Sequence, residues 1–201
     1  SDRYLHSIDD LKKIMGLHKD NLTIEGYDIS HLSGTNAVAS LVRFTEEGAD
    51  KKNYRTYNIP SELSGNDIGS LAYTLKRRLQ KINKDPLPEI ILIDGGHPQL
   101  NAILKVFHTL VKVPPIILSI VKGAKRVRAS ETILSQSGVI EMPKESQGFR
   151  LLQQIRDESH RFAIQASRNK KEKEYKYSAL NLIEGVGPVL KKRLLKKFKN
   201  I

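Results

Sequence analysis

The sequence predicts an α/β fold in which a mixed sheet, with three antiparallel strands followed by parallel ones, is flanked by helices. Two observations lead to this prediction. Three short β-type segments near the start are separated by turn-prone residues, and the middle of the chain then alternates between apolar runs and segments of helical period. With 201 residues, the chain is long enough for one substantial core and a small appendage.

The first three strands are predicted over residues 22–29, 37–44 and 54–59. The stretches between them include 33–36 and 46–50, which are rich in Gly, Asn, Asp and Glu. Connections this short join antiparallel neighbours, so we expect a meander.

Beyond Pro60 the pattern changes to an amphipathic helix. One side is basic, and the apolar residues recur at helical spacing: Ile68, Leu71, Ala72, Leu75, Leu79 and Ile82. A strand at 90–93, a helix at 99–111 and a strand at 116–121 follow. This alternation predicts right-handed crossovers and a sheet that is parallel in this half.

The last part of the chain is less regular. Residues 123–147 show no clear period and predict a long loop that could include one hairpin, with basic residues Lys125, Arg126, Arg128 and Lys144. A helix is predicted from 148 to 170. We divide the chain into a domain over 1–168, a basic linker over 169–178 and a terminal segment over 179–201.

This order of elements is that of the ribonuclease H-like fold, in which the first and fourth strands are parallel neighbours. Asp28 lies near the end of the first strand and Asp94 ends the fourth, so we expect them side by side. The carboxyl ends of strands are where α/β proteins place their chemistry. Gly95 and Gly96 follow Asp94 and would permit a tight turn, which is also an ordinary role for such a pair.

Two carboxylates at one sheet edge suit a hard cation, and we predict that Asp28 and Asp94 bind Mg²⁺ or Mn²⁺. For either residue alone, a satisfied strand-end carboxylate or a salt bridge is the simpler explanation. Their predicted position on adjacent strands favours a metal.

Two further candidates each have a structural alternative. Asp67 begins the amphipathic helix, where an acidic residue also complements the helix dipole. His160 lies on a polar strip of the last long helix, where a partly buried structural histidine is equally expected. His31 and His97 follow the two key strands and could approach the site. A carboxylate pair, a metal and a histidine suit phosphodiester hydrolysis by an activated water.

Charge narrows the choice of partner. The chain has 34 Lys and Arg against 22 Asp and Glu, a net charge of +12, and 11 basic but only three acidic residues fall from residue 168 onward. A basic tail favours a polyanion, nucleic acid before anionic membrane, although charge alone fits a merely solvated surface equally well. The chain has no Cys, which excludes disulfides and thiolate metal sites. Without a long apolar run or a signal-peptide core, we expect a soluble cytoplasmic protein and no membrane partner.

The end of the chain adds to the case for nucleic acid. Residues 183–188 read Ile-Glu-Gly-Val-Gly-Pro and precede a segment rich in Lys and Arg, a helix-hairpin-helix pattern. Its glycines let backbone N–H groups face a phosphate, and the next helix adds its dipole. Such a motif binds the backbone without reading sequence, although a turn of this kind could also be purely structural.

These segments together resemble the C-terminal half of UvrC, the incision subunit of bacterial nucleotide excision repair. The resemblance runs from residue 22 to the end, and its motifs keep the family's order. They are 24–31 (IEGYDISH), 38–40 (VAS), 54–59 (YRTYNI), 91–96 (ILIDGG), 99–100 (QL), 122–124 (KGA), 155–163 (IRDESHRFA) and 185–187 (GVG).

The resemblance implies an endonuclease domain that cuts on the 5′ side of a lesion in double-stranded DNA, within a complex loaded by UvrB. Carried over by motif, the catalytic acids are Asp28, Asp67 and Asp94, with His160 as the fourth member. The DNA-binding positions implied in the same way are Lys122, Arg161, Gly185, Gly187 and Lys191. Nothing demands more than a monomer.

The chain also departs from the family. Family members often have Phe where Tyr27 stands, and Gly-Lys-Gly or similar where residues 96–98 read Gly-His-Pro. They usually carry paired hairpin motifs, an N-terminal nuclease and a UvrB-binding segment, so we expect this chain to be part of a longer protein.

Two other functions compete with the nuclease. A catalytically inert DNA-binding or docking module would predict loss of an acid or of His160, but all four residues are present. A small-molecule phosphate site at Asp94 would predict no salt-sensitive DNA binding, and the basic tail argues against it.

Overall fold

The computed structural model describes residues 1–31, 37–123 and 131–198. Within these ranges the helices are α1 (Asp2–Met15), α2 (Asp67–Leu79), α3 (His97–Leu110), α4 (Gln147–Asn181) and α5 (Pro188–Lys197). The strands are β1 (Ile24–Ser30), β2 (Val38–Thr45), β3 (Gly48–Ala49), β4 (Arg55–Asn58), β5 (Ile90–Asp94), β6 (Ile116–Val121), β7 (Thr132–Ser135) and β8 (Gly138–Ile140).

The strands form one mixed sheet in the order β3-β2-β1-β5-β6-β7-β8, with β4 also paired to β2. Strand β2 is antiparallel to β1 and β4, while β1, β5 and β6 run parallel. Both the predicted meander and the predicted parallel half are confirmed. The first and fourth predicted strands, β1 and β5, are neighbours.

Each face of the sheet carries its own apolar core. Helices α1 and α4 cover the face that contains Ile24, Leu92 and Leu118. Helices α2 and α3 cover the other face, which contains Tyr27 and Ile93. Because side chains alternate along a strand, successive residues of β1 point into opposite cores.

Helix α1 was not among the predicted elements. Its buried residues, Ile8 and Leu11, lie three positions apart and face α4. The two helices cross at Gly148, where an added Cβ would come within 3.0 Å of the Leu11 backbone. Tyr4, Ile8, Leu11 and Met15 form an apolar stripe at helical spacing, which was the available signal for α1.

Helix α4 is longer than predicted, with 35 residues. It continues without a break through 169–178, the segment predicted as a basic linker. The segment is rich in Lys and Glu, which favour helix, and Glu172 pairs with Lys176 one turn away at 2.9 Å. The division of the chain into domains stays a prediction.

The long loop predicted over 123–147 contains one hairpin, formed by β7 and β8. The basic residues Lys125, Arg126 and Arg128 lie outside the described residues, as does the predicted turn at 33–36. Over the three described ranges, no helix combines the length and the apolar character that a membrane span requires.

Candidate active site

Helix α4 lies close to β1 because a glycine stands where the helix crosses the strand. A Cβ added at Gly26 would lie 2.9 Å from Ile155 Cγ2 and 3.2 Å from Val42 Cγ2. Gly26 and Asp28 share one face of the strand, about 6.6 Å apart, and five residues of helix rise about 7.5 Å. The crossing at Gly26 and Ile155 therefore brings His160 to Asp28.

Asp28 and His160 form a hydrogen-bonded pair. Asp28 Oδ2 lies 2.8 Å from His160 Nδ1. The Asp28 side chain is only 13% exposed, whereas that of His160 is 59% exposed. Beside them, the Ser40 hydroxyl donates to the Ser159 carbonyl at 2.8 Å and ties α4 to the sheet. One member of the pair is thus held in the protein and the other faces solvent.

Asp94 lies at the end of β5, next to β1. The register pairs Tyr27 with Ile93, so Asp28 and Asp94 stand at the same level of adjacent parallel strands. Both side chains belong to the face that α4 covers, because two-residue alternation from buried Leu92 puts Asp94 there. The sequence-based expectation that these two acids are neighbours is confirmed.

The turn after Asp94 is held by side chains of α3 and β6. Gln99 Oε1 accepts a hydrogen bond from the Gly96 N–H at 3.0 Å, and the Ser119 hydroxyl donates to the Gly95 carbonyl at 2.5 Å. At Gly95 an added Cβ would lie 2.9 Å from the Gln99 side chain. The glycine therefore lets α3 begin directly beside the carboxylate.

Electrostatics at Asp28 disfavour its charge. Burial raises the pKa of the Asp28 carboxyl, the His160 hydrogen bond opposes that rise, and the Asp94 charge adds to it. Two close carboxylates with one histidine leave an excess of negative charge. Such a site would gain from a cation.

Asp67 takes part in a second carboxylate-histidine pair. Its Oδ1 lies 2.8 Å from Nε2 of His31, which directly follows β1. Both side chains are well exposed, at 63% for Asp67 and 39% for His31. Asp67 also begins α2, where its charge favours the helix N-terminus. The structure thus links Asp67 to the chain three residues beyond Asp28 but not to Asp28 itself.

In the part of the chain that the structure describes, the carboxylates predicted to bind a metal form a pair and not a larger cluster. Among the residues the structure describes, no three or more His, Asp or Glu side chains are arranged to hold an ion. Asp28 and Asp94 by themselves offer hard oxygen donors with uncompensated charge. Magnesium commonly takes one or two carboxylates and completes its shell with water and phosphate oxygens, so the pair fits such an ion.

The residues around His160 on α4 make buried contacts on one side of the helix and exposed contacts on the other. Arg156 is buried and bound to Glu131, with both Nη2 to Oε contacts at 3.0 Å. On the outer side, Glu158 binds Arg161 through contacts of 2.9 and 2.7 Å and accepts from the Tyr54 hydroxyl at 3.2 Å. These contacts hold the helix turn that presents His160.

Two predicted DNA-binding residues flank the carboxylate edge. Lys122 directly follows β6 and is exposed, at the same end of the sheet as Asp94. Arg161 is 54% exposed but already bound by Glu158. Their predicted role in binding DNA stays a prediction.

The hairpin at the end of the chain connects α4 to α5. Gly185 has φ +79°, a left-handed conformation that favours glycine, and Gly187 precedes Pro188 as the N-cap of α5. The Lys191 ammonium contacts Asn181 Oδ1 and lies 5.6 Å from the centre of the Tyr177 ring. A tight turn joins two helices here, as the helix-hairpin-helix pattern predicts, and DNA binding by this segment stays a prediction.

Sequence reasoning missed the contacts that support the site. Glu25, on the opposite face of β1, is fully buried with two arginines, and His31 pairs with Asp67. An acidic residue inside an apolar strand was the available signal for Glu25. Arg43 stands directly opposite Glu25 on β2 and Arg78 comes from α2, so their approach depends on strand register and helix packing.

Comparison with known proteins identifies the family that this sequence matches. The sequence profile of the UvrC RNase H endonuclease domain matches residues 12–164. The chain is 40% identical to UvrABC system protein C of Mannheimia succiniciproducens over 93% of its length, and 39% identical to that of Dictyoglomus thermophilum over 100%. It spans about a third of the length of these curated relatives, 32% and 33% respectively.

Among solved structures, the chain is similar to endonuclease V of Ciona intestinalis, with 11% identity and a TM-score of 0.39 over 61% of this chain and 58% of that one. It is also similar to human endonuclease V, with 19% identity and a TM-score of 0.37 over 59% and 61%.

Proposed function

This chain belongs to the UvrC family through its ribonuclease H endonuclease domain, and we propose that it hydrolyses a DNA phosphodiester with the aid of a divalent metal ion. The observation that carries this proposal is the group of Asp28, Asp94 and His160 at one end of the sheet. An inert module would have no need to keep an under-compensated carboxylate pair beside a solvent-facing histidine.

Asp28 and Asp94 would hold Mg²⁺ or Mn²⁺. When bound, such an ion activates water and stabilises the charge that develops on phosphate. The two carboxylates lie on adjacent strands of the sheet, so their spacing is held by backbone hydrogen bonds rather than by loops.

His160 would accept the proton of the attacking water. With Nδ1 bonded to Asp28, the neutral ring carries its lone pair on Nε2, the nitrogen that is turned away from the carboxylate. Asp28 thereby orients the base and stabilises the imidazolium that forms. Asp67, held by His31, would act as a further acid near the same edge.

The finer function follows from family membership. We propose that the substrate is double-stranded DNA with a lesion, that the cut falls on the 5′ side, and that UvrB brings the complex to it. Lys122 and Arg161 would bind phosphates beside the site, and Gly185, Gly187 and Lys191 would bind the duplex further along. We propose a monomer that acts in the cytoplasm.

The test is nicking of supercoiled plasmid in Mg²⁺, Mn²⁺ and EDTA. Metal-dependent nicking is expected from the chain as it stands and is expected to vanish in Asp28→Ala and Asp94→Ala variants that are folded by circular dichroism. A matched control is Asp9→Ala, an exposed acid on α1. Equal nicking by all four proteins would contradict the site.

If the chain alone does not nick, the same comparison is made in the full-length relative with UvrB and lesion-containing DNA. Retained 5′ incision by both Asp28→Ala and Asp94→Ala there would favour the inert-module alternative.

A further inference from the structure

A polar groove of about 410 Å³ lies between α4 and the β2–β4 part of the sheet. It is on the face that carries Asp28, because Val38 and Ser40 of β2 pair with Ser30 and Asp28 of β1. Its lining consists of Val38, Thr56, Asn58, Phe162, Gln165, Ala166, Asn169, Lys170 and Lys173.

The chemistry of the groove is that of a phosphate-binding surface. The lining has hydroxyl, amide and ammonium groups and contains no carboxylate. Among the described residues, neither Lys170 nor Lys173 has an ion-pair partner, although the neighbouring Lys176 is paired with Glu172. Two uncompensated cations beside neutral donors are typical of contacts to the sugar-phosphate backbone.

The groove is close to the candidate active site. The register runs from Asp28 to Ser40 on β2 and from Ser40 to Thr56 on β4, so the groove begins two strands from the carboxylate. Neighbouring strands lie about 4.8 Å apart, which gives about 10 Å. This distance is roughly the rise of three nucleotides along a duplex.

We propose that this groove binds the backbone of the DNA strand a few nucleotides from the phosphodiester that is cut. The proposal rests on the proposed nuclease function and assigns Asn58, Lys170 and Lys173 to substrate positioning. The occupant is a nucleic acid rather than a protein segment, because the apolar lining residues are small or largely covered while Lys173 is exposed and Lys170 is partly exposed.

The first test measures DNA binding without cleavage. Affinity of the chain for a short labelled duplex is measured in EDTA over a range of salt concentrations, for the wild type and for Lys170→Gln/Lys173→Gln. Loss of two phosphate contacts is expected to reduce the slope of log K against log salt by about 2.

The matched control is Lys105→Gln/Lys112→Gln. These exposed lysines lie in and just after α3, on the other side of the sheet, and their removal changes the net charge equally. The proposal is overturned if the groove variant and the control variant have equal slopes, or if the wild type does not bind the duplex.

A second test uses the absence of Cys from the chain. Asn58→Cys introduces a unique thiol in the groove, and Thr109→Cys introduces one near the end of α3, at the opposite end of the sheet. Duplexes with a disulfide tether on a backbone phosphate are expected to cross-link to Asn58→Cys at least tenfold faster.

Equal cross-linking at the two positions would overturn the proposal, and so would capture of a protein partner by the groove with unchanged DNA binding. Neither test needs catalysis or metal. A failure of the nuclease function would appear in the nicking assay and a failure of the groove in the binding slope, so the two outcomes are distinguishable.

Discussion

Strand β1 carries two carboxylates, three residues apart, in opposite electrostatic settings. Glu25 is fully buried, and its one negative charge is shared by two arginines and a tyrosine. Its carboxylate oxygens accept two hydrogen bonds from Arg78 at 3.0 Å, one from Arg43 at 3.1 Å and one from the Tyr27 hydroxyl at 2.6 Å. Asp28 has one histidine and a like charge beside it.

The surroundings of the two acids explain the difference in role. Arg43 and Arg78 also bind Asp85 and neighbouring carbonyls, so the Glu25 cluster joins β1, β2 and the end of α2. Although burial alone would lower it, hydrogen bonds to Glu25 raise the pKa of Arg78. A buried charge that is fully paired is costly to unpair and so has a structural role, whereas a charge that lacks compensation is available to a ligand.

The largest expected effect is on catalysis, in Asp28→Asn. Nicking should fall at least about 10³-fold, about 4 kcal/mol of activation free energy, because a metal ligand and the partner of His160 are lost. Stability at neutral pH should rise by about 1 kcal/mol, because the buried charge is removed. Nicking kinetics and urea unfolding measure the two effects.

The gain in stability should depend on pH. Since the pKa of Asp28 is raised in the folded protein, the wild type is stabilised below the unfolded pKa, and this stabilisation is lost as pH rises through the folded pKa. The advantage of Asp28→Asn should therefore shrink toward zero in acid. An advantage that grows on acidification would contradict the account of Asp28.

At Glu25 the same kind of substitution is expected to lower stability and to leave nicking nearly unchanged. Glu25→Gln is equally isosteric, but it should lower the free energy of unfolding by about 3 kcal/mol, because Asp85 is then, among the described residues, the one acid left to two buried arginines in this cluster. Nicking per folded molecule should stay within about twofold of wild type. A neutral or stabilising effect in urea unfolding would remove the distinction between the two acids.

A smaller loss is expected from His160→Gln, which removes the base and leaves both carboxylates. Nicking should fall by about 10²-fold with little change in stability, because the imidazole is largely exposed. His108→Gln, in the last turn of α3, is the matched control. If both variants nick equally, His160 is not the base.

Packing at Gly26 is expected to have a smaller effect on nicking than the loss of His160, together with a moderate effect on stability. Gly26→Ala brings a methyl group 2.9 Å from Ile155 Cγ2 and should cost about 1–3 kcal/mol of stability while moving His160 away from Asp28. Ile155→Leu removes that Cγ2 atom, so the double variant should recover part of both stability and nicking. Failure of any recovery would mean that the contact does not set the position of α4.

The smallest effect is expected at the exposed pair of Arg161 and Glu158. Arg161→Gln should change stability by no more than about 0.5 kcal/mol, because solvent screens the pair. If Arg161 binds a phosphate, the slope of log K against log salt for DNA binding should fall by about 1. An unchanged slope would leave Arg161 with its contacts to Glu158 and Gln165 on the same helix.

Local patterns in the sequence determined most of the architecture. The meander, α2, α3 and the parallel strands are marked by periodicity and turn residues, which act over a few positions. The neighbouring positions of Asp28 and Asp94 follow from the order of those elements, and the motif around His160 identified the histidine. The continuation of α4 through 169–178 was not predicted, because a highly charged helix gives a weak periodic signal. Helix α1 was not predicted either, although Tyr4, Ile8, Leu11 and Met15 recur at helical spacing.

Tertiary structure decided which charges are satisfied and which are not. Glu25 and Asp28 are both acids in one short strand, and only the approach of Arg43 and Arg78 on one face, and of α4 on the other, gives them different roles. The same packing places Gly26 under Ile155 and opens the groove beside β4. These relations join residues far apart in the chain, and their distances are set by how the helices pack on the sheet.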